Sequence, residues 1–178
     1  MFSEFSIVLS PYSLSHIKSY DPVSGRLSRA VSIYGAGLNL IYDYTMPHIR
    51  LGVSAGCTAD FKFMALKDSE LNPDCLLPYF MLDFLARVGF PINVNSKASI
   101  IPTIKGGLAV TLVNRDNNTC PAVGFELMSR IDVKECFSII AGFDGLYLFE
   151  KADFEKTGAR TISVSLNMGV LWRFGERW

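Results

Sequence analysis

The feature that most constrains the fold is a long run in which apolar residues alternate strictly with polar, charged or glycine residues. From Ile49 to Phe63 every second residue is apolar, and the positions between them, from Arg50 to Lys62, contain no apolar residue. Successive side chains of a β-strand point to opposite faces, so this period of two predicts a strand with one apolar and one polar face. Residues 161–174 repeat the pattern and break it only at Leu171.

Six further segments alternate in the same way, which brings the number of predicted strands to eight: 5–12, 28–44, 80–90, 100–112, 123–131 and 137–149. The connections alternate between long (13–27, 64–76, 150–160) and short (45–47, 92–98, 132–135), with one of medium length at 114–119. Transmembrane barrels have short periplasmic turns and longer extracellular loops. The sequence therefore predicts an all-β protein in which residues 1–178 form a single antiparallel up-and-down transmembrane β-barrel of about eight strands, with both termini on the periplasmic side.

Alternation alone does not say which face is buried, because a soluble barrel alternates too. Composition favours the membrane: 49% of the residues are hydrophobic and only 19% are charged, yet no run reaches the ~18–20 apolar residues of a membrane-spanning helix. Nine of the eleven strand glycines lie on the polar face. Glycine weakens a strand without benefit on a solvated surface, but small residues fit the narrow lumen of an eight-stranded barrel. The apolar face is therefore predicted to contact lipid.

Aromatic side chains lie toward the ends of the predicted strands on the apolar face. Membrane interfaces select aromatic rings at both edges of the apolar band. This role is predicted for six residues: Tyr42, Tyr44, Phe61, Phe63, Trp172 and Phe174.

Residues 161–174 also resemble the closing strand of bacterial outer membrane proteins, with alternating apolar residues and an aromatic near the end. In pattern the chain is most similar to the eight-stranded OmpA-like and OmpW-like classes. The resemblance implies location in the outer membrane and recognition of the C-terminal strand by the barrel insertion machinery. The chain departs from it by adding Gly175, Glu176 and Arg177 before the terminal Trp178. Because the first residues lack the basic region of a signal peptide, we expect that a native signal peptide was removed.

Four cysteines occur, at positions 57, 75, 120 and 136. No pair has the spacing of a zinc site, and both histidines are remote from them in sequence, so neither a metal nor a cofactor is expected. Cys75 and Cys120 are predicted to lie at the outer rim in neighbouring loops. A disulfide between them is our hypothesis for an oxidising compartment.

The polar face carries charged residues that would lie inside the barrel. Approximate hairpin registers align Asp83 with Glu126, and place Lys105, Arg87 and Arg130 about one step below. Unpaired buried charges are very costly, so these groups must pair or contact water. One hypothesis is that Lys105 bridges Asp83 and Glu126 and forms a polar plug or gate. The alternative is that the same charges merely fill and stiffen the lumen.

Two function classes remain open. The OmpW-like resemblance implies a narrow channel or transporter for ions or small, even hydrophobic, molecules, and an apolar lumen supports it through Val31, Ile33, Met81, Leu85 and Met128. The OmpA-like resemblance implies a closed structural or adhesive barrel that acts through loops 13–27, 64–76 and 150–160.

Catalysis is not expected. His16 falls in the predicted first loop near Ser13, Ser15 and Asp21, but an isolated loop histidine is normally solvated. The chain has 17 basic and 17 acidic residues, so no positive field suggests nucleic acid. The expected partners are the lipid bilayer, the insertion machinery and small permeant molecules, and the barrel is expected to be a monomer.

Overall fold

Eight long strands, each paired with the next long strand along the chain, form one antiparallel sheet, and this sheet closes on itself. The computed structural model describes residues 1–20, 27–60, 79–113, 116–149 and 158–175. None of these residues belongs to a helix long and apolar enough to cross a membrane. The strands are β1 (Phe2–Tyr20), β2 (Leu27–Thr45), β3 (Arg50–Asp60), β4 (Tyr79–Gly89), β5 (Ile92–Asn93), β6 (Ala98–Val113), β7 (Asp116–Lys134), β8 (Phe137–Phe149) and β9 (Gly158–Phe174).

Closure comes from two pairings, β1 with β9 and β4 with β6, while β5 is a two-residue strand beside the start of β6. The eight long strands thus form the predicted up-and-down barrel. Register partners followed from Phe137 around the barrel return to β8 at Tyr147, ten residues further along. Such a stagger requires the strands to tilt by about 35–45° to the barrel axis.

The barrel is apolar outside and polar inside. Val53 is 58% exposed while the adjacent Ser54 is 6% exposed, and the same alternation continues through the other long strands. The exposed face is dominated by large apolar side chains, and the buried face contains many charged and hydroxyl groups. A soluble barrel would have the opposite distribution, because apolar burial drives folding in water. The prediction of a transmembrane barrel is therefore confirmed.

Several segments expected in loops are strand. Residues 13–20 belong to β1, residues 116–119 to β7 and residues 158–160 to β9. β1, β2 and β7 each contain 19 residues, whereas about 9–11 tilted residues cross the bilayer. The extra residues extend the paired strands at the end opposite the short turns. Their outward positions do not need to be apolar, so hydrophobic alternation does not reveal them.

β1 contains a bulge at Pro11 and Tyr12. Ser10 and Ser13 are both buried inside the barrel although two residues separate them, and their partners on β2 are Gly37 and Gly35. A bulge adds one residue to one strand, and it accommodates proline, which has no N–H for the ladder. The shift explains why the alternation of the first strand is weak in the sequence.

Candidate functional site

The lumen contains a continuous set of buried ion pairs, which we call the lower-lumen network. It runs from Asp144, in the middle of β8, to Asp132, near the short β7–β8 turn. Five acidic and five basic side chains take part, so the network is neutral overall: Glu4, Asp43, Glu126, Asp132, Asp144, Arg50, Arg87, Lys105, Arg130 and Arg173.

At mid-depth the network consists of two tight pairs. Arg87 donates to both carboxylate oxygens of Glu126, at 2.5 and 3.3 Å. Lys105 Nζ donates to Asp144 Oδ2 at 2.5 Å and lies 3.7 Å from Glu126 Oε2. The second carboxylate near Arg87 is Asp43, whose Oδ1 lies 3.6 Å from Arg87 Nε. Hydrogen-bonded pairing of this kind offsets the cost of burying the charges.

Glu4 is the centre of the network near the periplasmic turns. Its side chain is fully buried. Its oxygens lie 3.1 Å from Arg50 Nε, 3.1 Å from Arg130 NH1 and 3.5 Å from Arg173 Nε, and it accepts a hydrogen bond from Thr45 Oγ1 at 2.8 Å. One carboxylate therefore holds three arginines that come from three different strands.

Glycines on the inner face make room for these long side chains. A Cβ on Gly52 would overlap the carboxylate of Asp43, and a Cβ on Gly124 would lie 3.4 Å from Lys105 Cε. By contrast, a Cβ on the outward Gly145 would meet nothing closer than 3.8 Å. At four glycines, however, a Cβ would lie 2.0–2.2 Å from a backbone carbonyl oxygen of the neighbouring strand: Gly35, Gly107, Gly142 and Gly169. The sorting of glycine by face therefore reflects close backbone packing inside a narrow barrel as well as space for charged side chains.

Four of the five predicted lumen residues, Arg87, Lys105, Glu126 and Arg130, are in the network, and Asp83 is not. Lys105 contacts Asp144 instead of Asp83, so the predicted bridge between Asp83 and Glu126 is wrong. Asp83 is opposite Ala109 in register, whereas Lys105 is opposite Arg87. The approximate registers had aligned Asp83 with Gly107 and Gly107 with Glu126. In the structure they differ by two residues between β4 and β6 and by four between β6 and β7, where Gly107 is opposite Ala122. Asp83 is nevertheless buried, with 6% exposed.

Sequence reasoning did not assign a role to six of the network residues: Glu4, Asp43, Arg50, Asp132, Asp144 and Arg173. For most of them, their positions in the sequence pattern could have predicted a place in the lumen. Asp43, Arg50, Asp144 and Arg173 fall on the polar face of predicted strands, where any charge has to be buried. Glu4 preceded the predicted start of the first strand, and Asp132 fell in a predicted turn.

Above the network, the upper lumen has two different walls. On β1 and β9, Ser10 donates to Asn167 at 2.6 Å, and Ser15 Oγ lies 3.1 Å from Ser163 Oγ. The opposite wall is a buried apolar cluster. It comprises Ile33, Met81, Leu85, Ala109, Cys120, Ala122, Leu146 and Leu148. Three of the five apolar lumen residues predicted from the sequence, Ile33, Met81 and Leu85, belong to this cluster. A fourth, Met128, is also buried and lies lower in the barrel. The side chain of Val31 is outside the described part.

The lumen is closely filled where the two halves meet. A cavity of about 10 Å³ remains there, which is roughly the space of a single water molecule. Asp83, Lys105 and Asp144 line it together with polar groups of other strands, among them Asn39 and Thr58. The periplasmic mouth is wider, with a cavity of about 500 Å³ whose lining includes Arg130, Asp132 and Arg173.

The predicted interface aromatics that the structure describes all lie on the outer face. Tyr42, Tyr44 and Phe174 are 50%, 41% and 56% exposed. The ring of Trp172 lies between Phe5 and Phe137, with centroid distances of 6.3 and 6.0 Å. These residues are close to the short turns and the termini, where a periplasmic aromatic girdle is expected. Phe61 and Phe63 lie outside the described residues.

Cys120 lies in β7 rather than in a loop. Its side chain is buried, with Sγ 3.6 Å from the carbonyl oxygen of Ala109. The predicted position at the rim was therefore wrong, because β7 begins at Asp116. Cys75 is outside the described residues, so the disulfide stays a hypothesis. Within the described ranges, no group of three His, Cys, Asp or Glu side chains is arranged to hold a metal ion.

His16 is part of β1 and not of a loop. Its Nδ1 lies 3.1 Å from Ser32 Oγ on the outer face, whereas Ser13 and Ser15 are buried on the inner face. A nucleophile and its base must be within hydrogen-bond reach. The combination of His16 with Ser13 or Ser15 considered from the sequence is therefore not assembled.

No protein-family model matches the sequence, and no curated protein matches it either. Several solved structures are similar to this chain in fold. Neisserial surface protein A superimposes with a TM-score of 0.61 at 14% identity, covering 96% of this chain and 97% of that chain. The outer membrane protease OmpT from Escherichia coli gives a TM-score of 0.52 at 8% identity, with 97% of each chain covered.

The fold is that of a small outer membrane β-barrel. The attachment invasion locus protein Ail of Yersinia pestis is also similar, at a TM-score of 0.47 and 16% identity, with 98% of this chain and 100% of that chain covered. At these identities the likeness concerns the fold, and the proteolytic activity named for OmpT is a property of OmpT. The apolar exterior indicates a barrel that contacts lipid, and its fold is shared with bacterial outer membrane proteins.

Proposed function

We propose that this protein is a closed outer membrane barrel whose biological role is exerted at its extracellular end. The observation that carries the proposal is the closely filled lumen at mid-depth. The ion pairs Arg87–Glu126 and Lys105–Asp144 are buried there, and the cavity that Lys105 and Asp144 line measures about 10 Å³. A hydrated ion needs far more space than one water molecule. If the barrel does not conduct, partners can bind it only outside the lumen. β1, β2 and β7 extend to its extracellular end, which is exposed beyond the membrane.

Single-channel recording from the refolded protein in planar lipid bilayers tests closure. Folding is first verified by the heat-dependent gel shift of a barrel. We expect an electrically silent protein, and discrete openings in the wild type would contradict the proposal.

A second experiment tests the surface role. Residues 64–76 contain the charged run Lys67, Asp68 and Glu70, and their replacement by a short turn is expected to leave the folded barrel intact. We expect bacteria that display the shortened variant to adhere less to epithelial cell layers than bacteria that display the wild type. Equal adhesion would count against recognition through residues 64–76.

The second candidate function is a narrow channel gated by the lower-lumen network. Two observations favour it: the wide periplasmic mouth of about 500 Å³, and the position of Asp83 beside Lys105 in the same small cavity. Transfer of Lys105 from Asp144 to Asp83 would rearrange the plug. The channel then requires openings that depend on Lys105, and these are expected to change in Lys105→Met.

The remaining expectations about partners belong to this proposal. β9 ends in Trp172, Arg173 and Phe174, and we expect the insertion machinery to recognise this strand. A monomer that contacts lipid around its circumference is supported by the closure of the eight long strands without a free edge. We also expect the barrel to have no enzymatic activity. Deletion of residues 172–178 is expected to reduce assembly in cells, as measured by the gel shift of membrane fractions.

A further inference from the structure

The outer face of the barrel carries a groove across β2, β3 and β4. Its volume is about 410 Å³, within the range of about 300–1,000 Å³ typical of small-molecule sites. Its floor contains Ala55 and Ala86, which are smaller than most outward residues. Val53 is opposite Ala86 and Ala55 is opposite Phe84 in register, so small and large side chains alternate across the strand pair and create the depression.

The groove begins at the level of the periplasmic aromatic residues. Phe5 and Tyr42 line its lower end, and they are register partners close to the periplasmic ends of β1 and β2. Its upper end is at Ala55 and Phe84, in the middle of β3 and β4. It therefore spans the part of the apolar band that faces the periplasmic leaflet. The Tyr42 hydroxyl donates to Ser3 Oγ at 3.0 Å, which places hydroxyl groups at the polar mouth of the groove.

We propose that this groove binds one acyl chain of a phospholipid from the periplasmic leaflet. The groove is continuous with the lipid-contacting surface, since the adjoining Leu40 and Phe84 are 43% and 59% exposed on the apolar exterior. Hydrocarbon is the medium on that surface. With larger side chains around the small residues Ala55 and Ala86, the groove offers a chain more contact than a smooth apolar surface does.

The physical basis of the selectivity is packing. Lipid tails are as apolar as leucine, so no hydrophobic effect distinguishes the groove from the rest of the belt. Additional dispersion contacts favour the bound chain, and the loss of conformational freedom opposes it. We therefore expect an enrichment of about fivefold over other lipid-facing surfaces, which is equivalent to about 1 kcal/mol.

Photolabelling with a phosphatidylethanolamine that carries a diazirine in one acyl chain tests the site. The full-length barrel is refolded into bicelles that contain this lipid, and the labelled peptides are identified by mass spectrometry. We expect peptides with residues 53–55 and 84–86 to be labelled about fivefold more than outward positions on β8. The double variant A55F/A86F is expected to lose this excess. The matched control is A141F, because Ala141 is also exposed and outward but lies on β8.

Three results would overturn the proposal. Uniform labelling of the wild-type belt would show that the groove selects no chain, and this result does not depend on any variant. Unchanged labelling in folded A55F/A86F, or in the milder Ala55→Leu, would place the excess elsewhere. A dimer in sedimentation measurements that A55F/A86F dissociates would mean that a second copy of this chain occupies the groove.

Discussion

The lower and upper halves of the lumen are filled by different kinds of side-chain interaction. In the lower half, ten charged side chains form a neutral network in which Glu4 alone holds three arginines. In the upper half, hydroxyl groups of β1 and β9 face an apolar cluster, and Asp83 is buried outside the network. The lower half depends on particular pairs of opposite charge. In the upper half Ser13 Oγ lies 3.4 Å from Ser163 Oγ and 3.0 Å from Ser165 Oγ, so we expect hydroxyl groups there to exchange partners. The two halves should therefore respond differently to the loss of one polar group.

The largest effect is expected for Glu4→Gln. The variant removes the one charge that three buried arginines share, and loss of one partner of a buried ion pair costs about 3–5 kcal/mol. The free energy of unfolding is measured by urea titration in lipid vesicles, with the gel shift as readout. The matched control in the upper half is Asp83→Asn, which removes a buried carboxylate outside the network and is expected to change stability by less than about 1 kcal/mol. Equal losses in both variants would contradict the difference between the halves.

Lys105→Met probes the upper edge of the network. The substitution leaves Asp144 without its cation, while Glu126 keeps Arg87, so we expect a loss of about 2–3 kcal/mol in unfolding free energy. Replacing both partners in K105M/D144L should recover most of it, because apolar replacements of a buried pair are often neutral.

The same Lys105→Met variant separates the two candidate functions. If the network only closes and stiffens the lumen, the bilayer recordings remain silent and only stability changes. Openings that appear or alter in Lys105→Met favour the gated channel. An unchanged stability together with unchanged recordings would contradict both roles for Lys105.

Periodicity predicted the barrel because side chains of a spanning strand must face lipid and the lumen alternately, so the requirement for an apolar residue repeats at every second position. Val53 has to face lipid and Ser54 the lumen, and this rule holds on every spanning strand. The pairs within the lumen follow from register, which periodicity does not contain. Register differences of two residues between β4 and β6 and of four between β6 and β7 separate Asp83 from Glu126, with which it had been aligned. Periodicity also did not predict the bulge at Pro11, because the bulge interrupts the alternation. It did not predict the ends of β1 and β7, because these strands continue beyond the residues that alternate.

Gly52→Ala tests how closely the lower half of the lumen is packed. The added methyl group would overlap the Asp43 carboxylate, which is held by Arg50 at 2.7 Å. Overpacking of a filled interior costs about 1–3 kcal/mol, and we expect a loss in this range by urea titration. Gly145→Ala is the matched control, because its methyl group would point outward and meet nothing closer than the Phe125 carbonyl oxygen at 3.8 Å. A loss of similar size in Gly145→Ala would mean that backbone conformation, and not lumen space, requires glycine.

The smallest effect is expected for Ser163→Ala in the upper lumen. Its hydroxyl lies 3.1 Å from Ser15 Oγ and 3.4 Å from Ser13 Oγ, and Ser165 also donates to Ser13 at 3.0 Å. Because Ser13 retains Ser165 as a partner, the loss should be only about 0.5–1 kcal/mol. A double-mutant cycle with Ser15→Ala measures the coupling between the two hydroxyl groups. Weak coupling, below about 0.5 kcal/mol, would support exchangeable partners in the upper half. Coupling as large as that of the ion pairs would show that both halves of the lumen are equally specific.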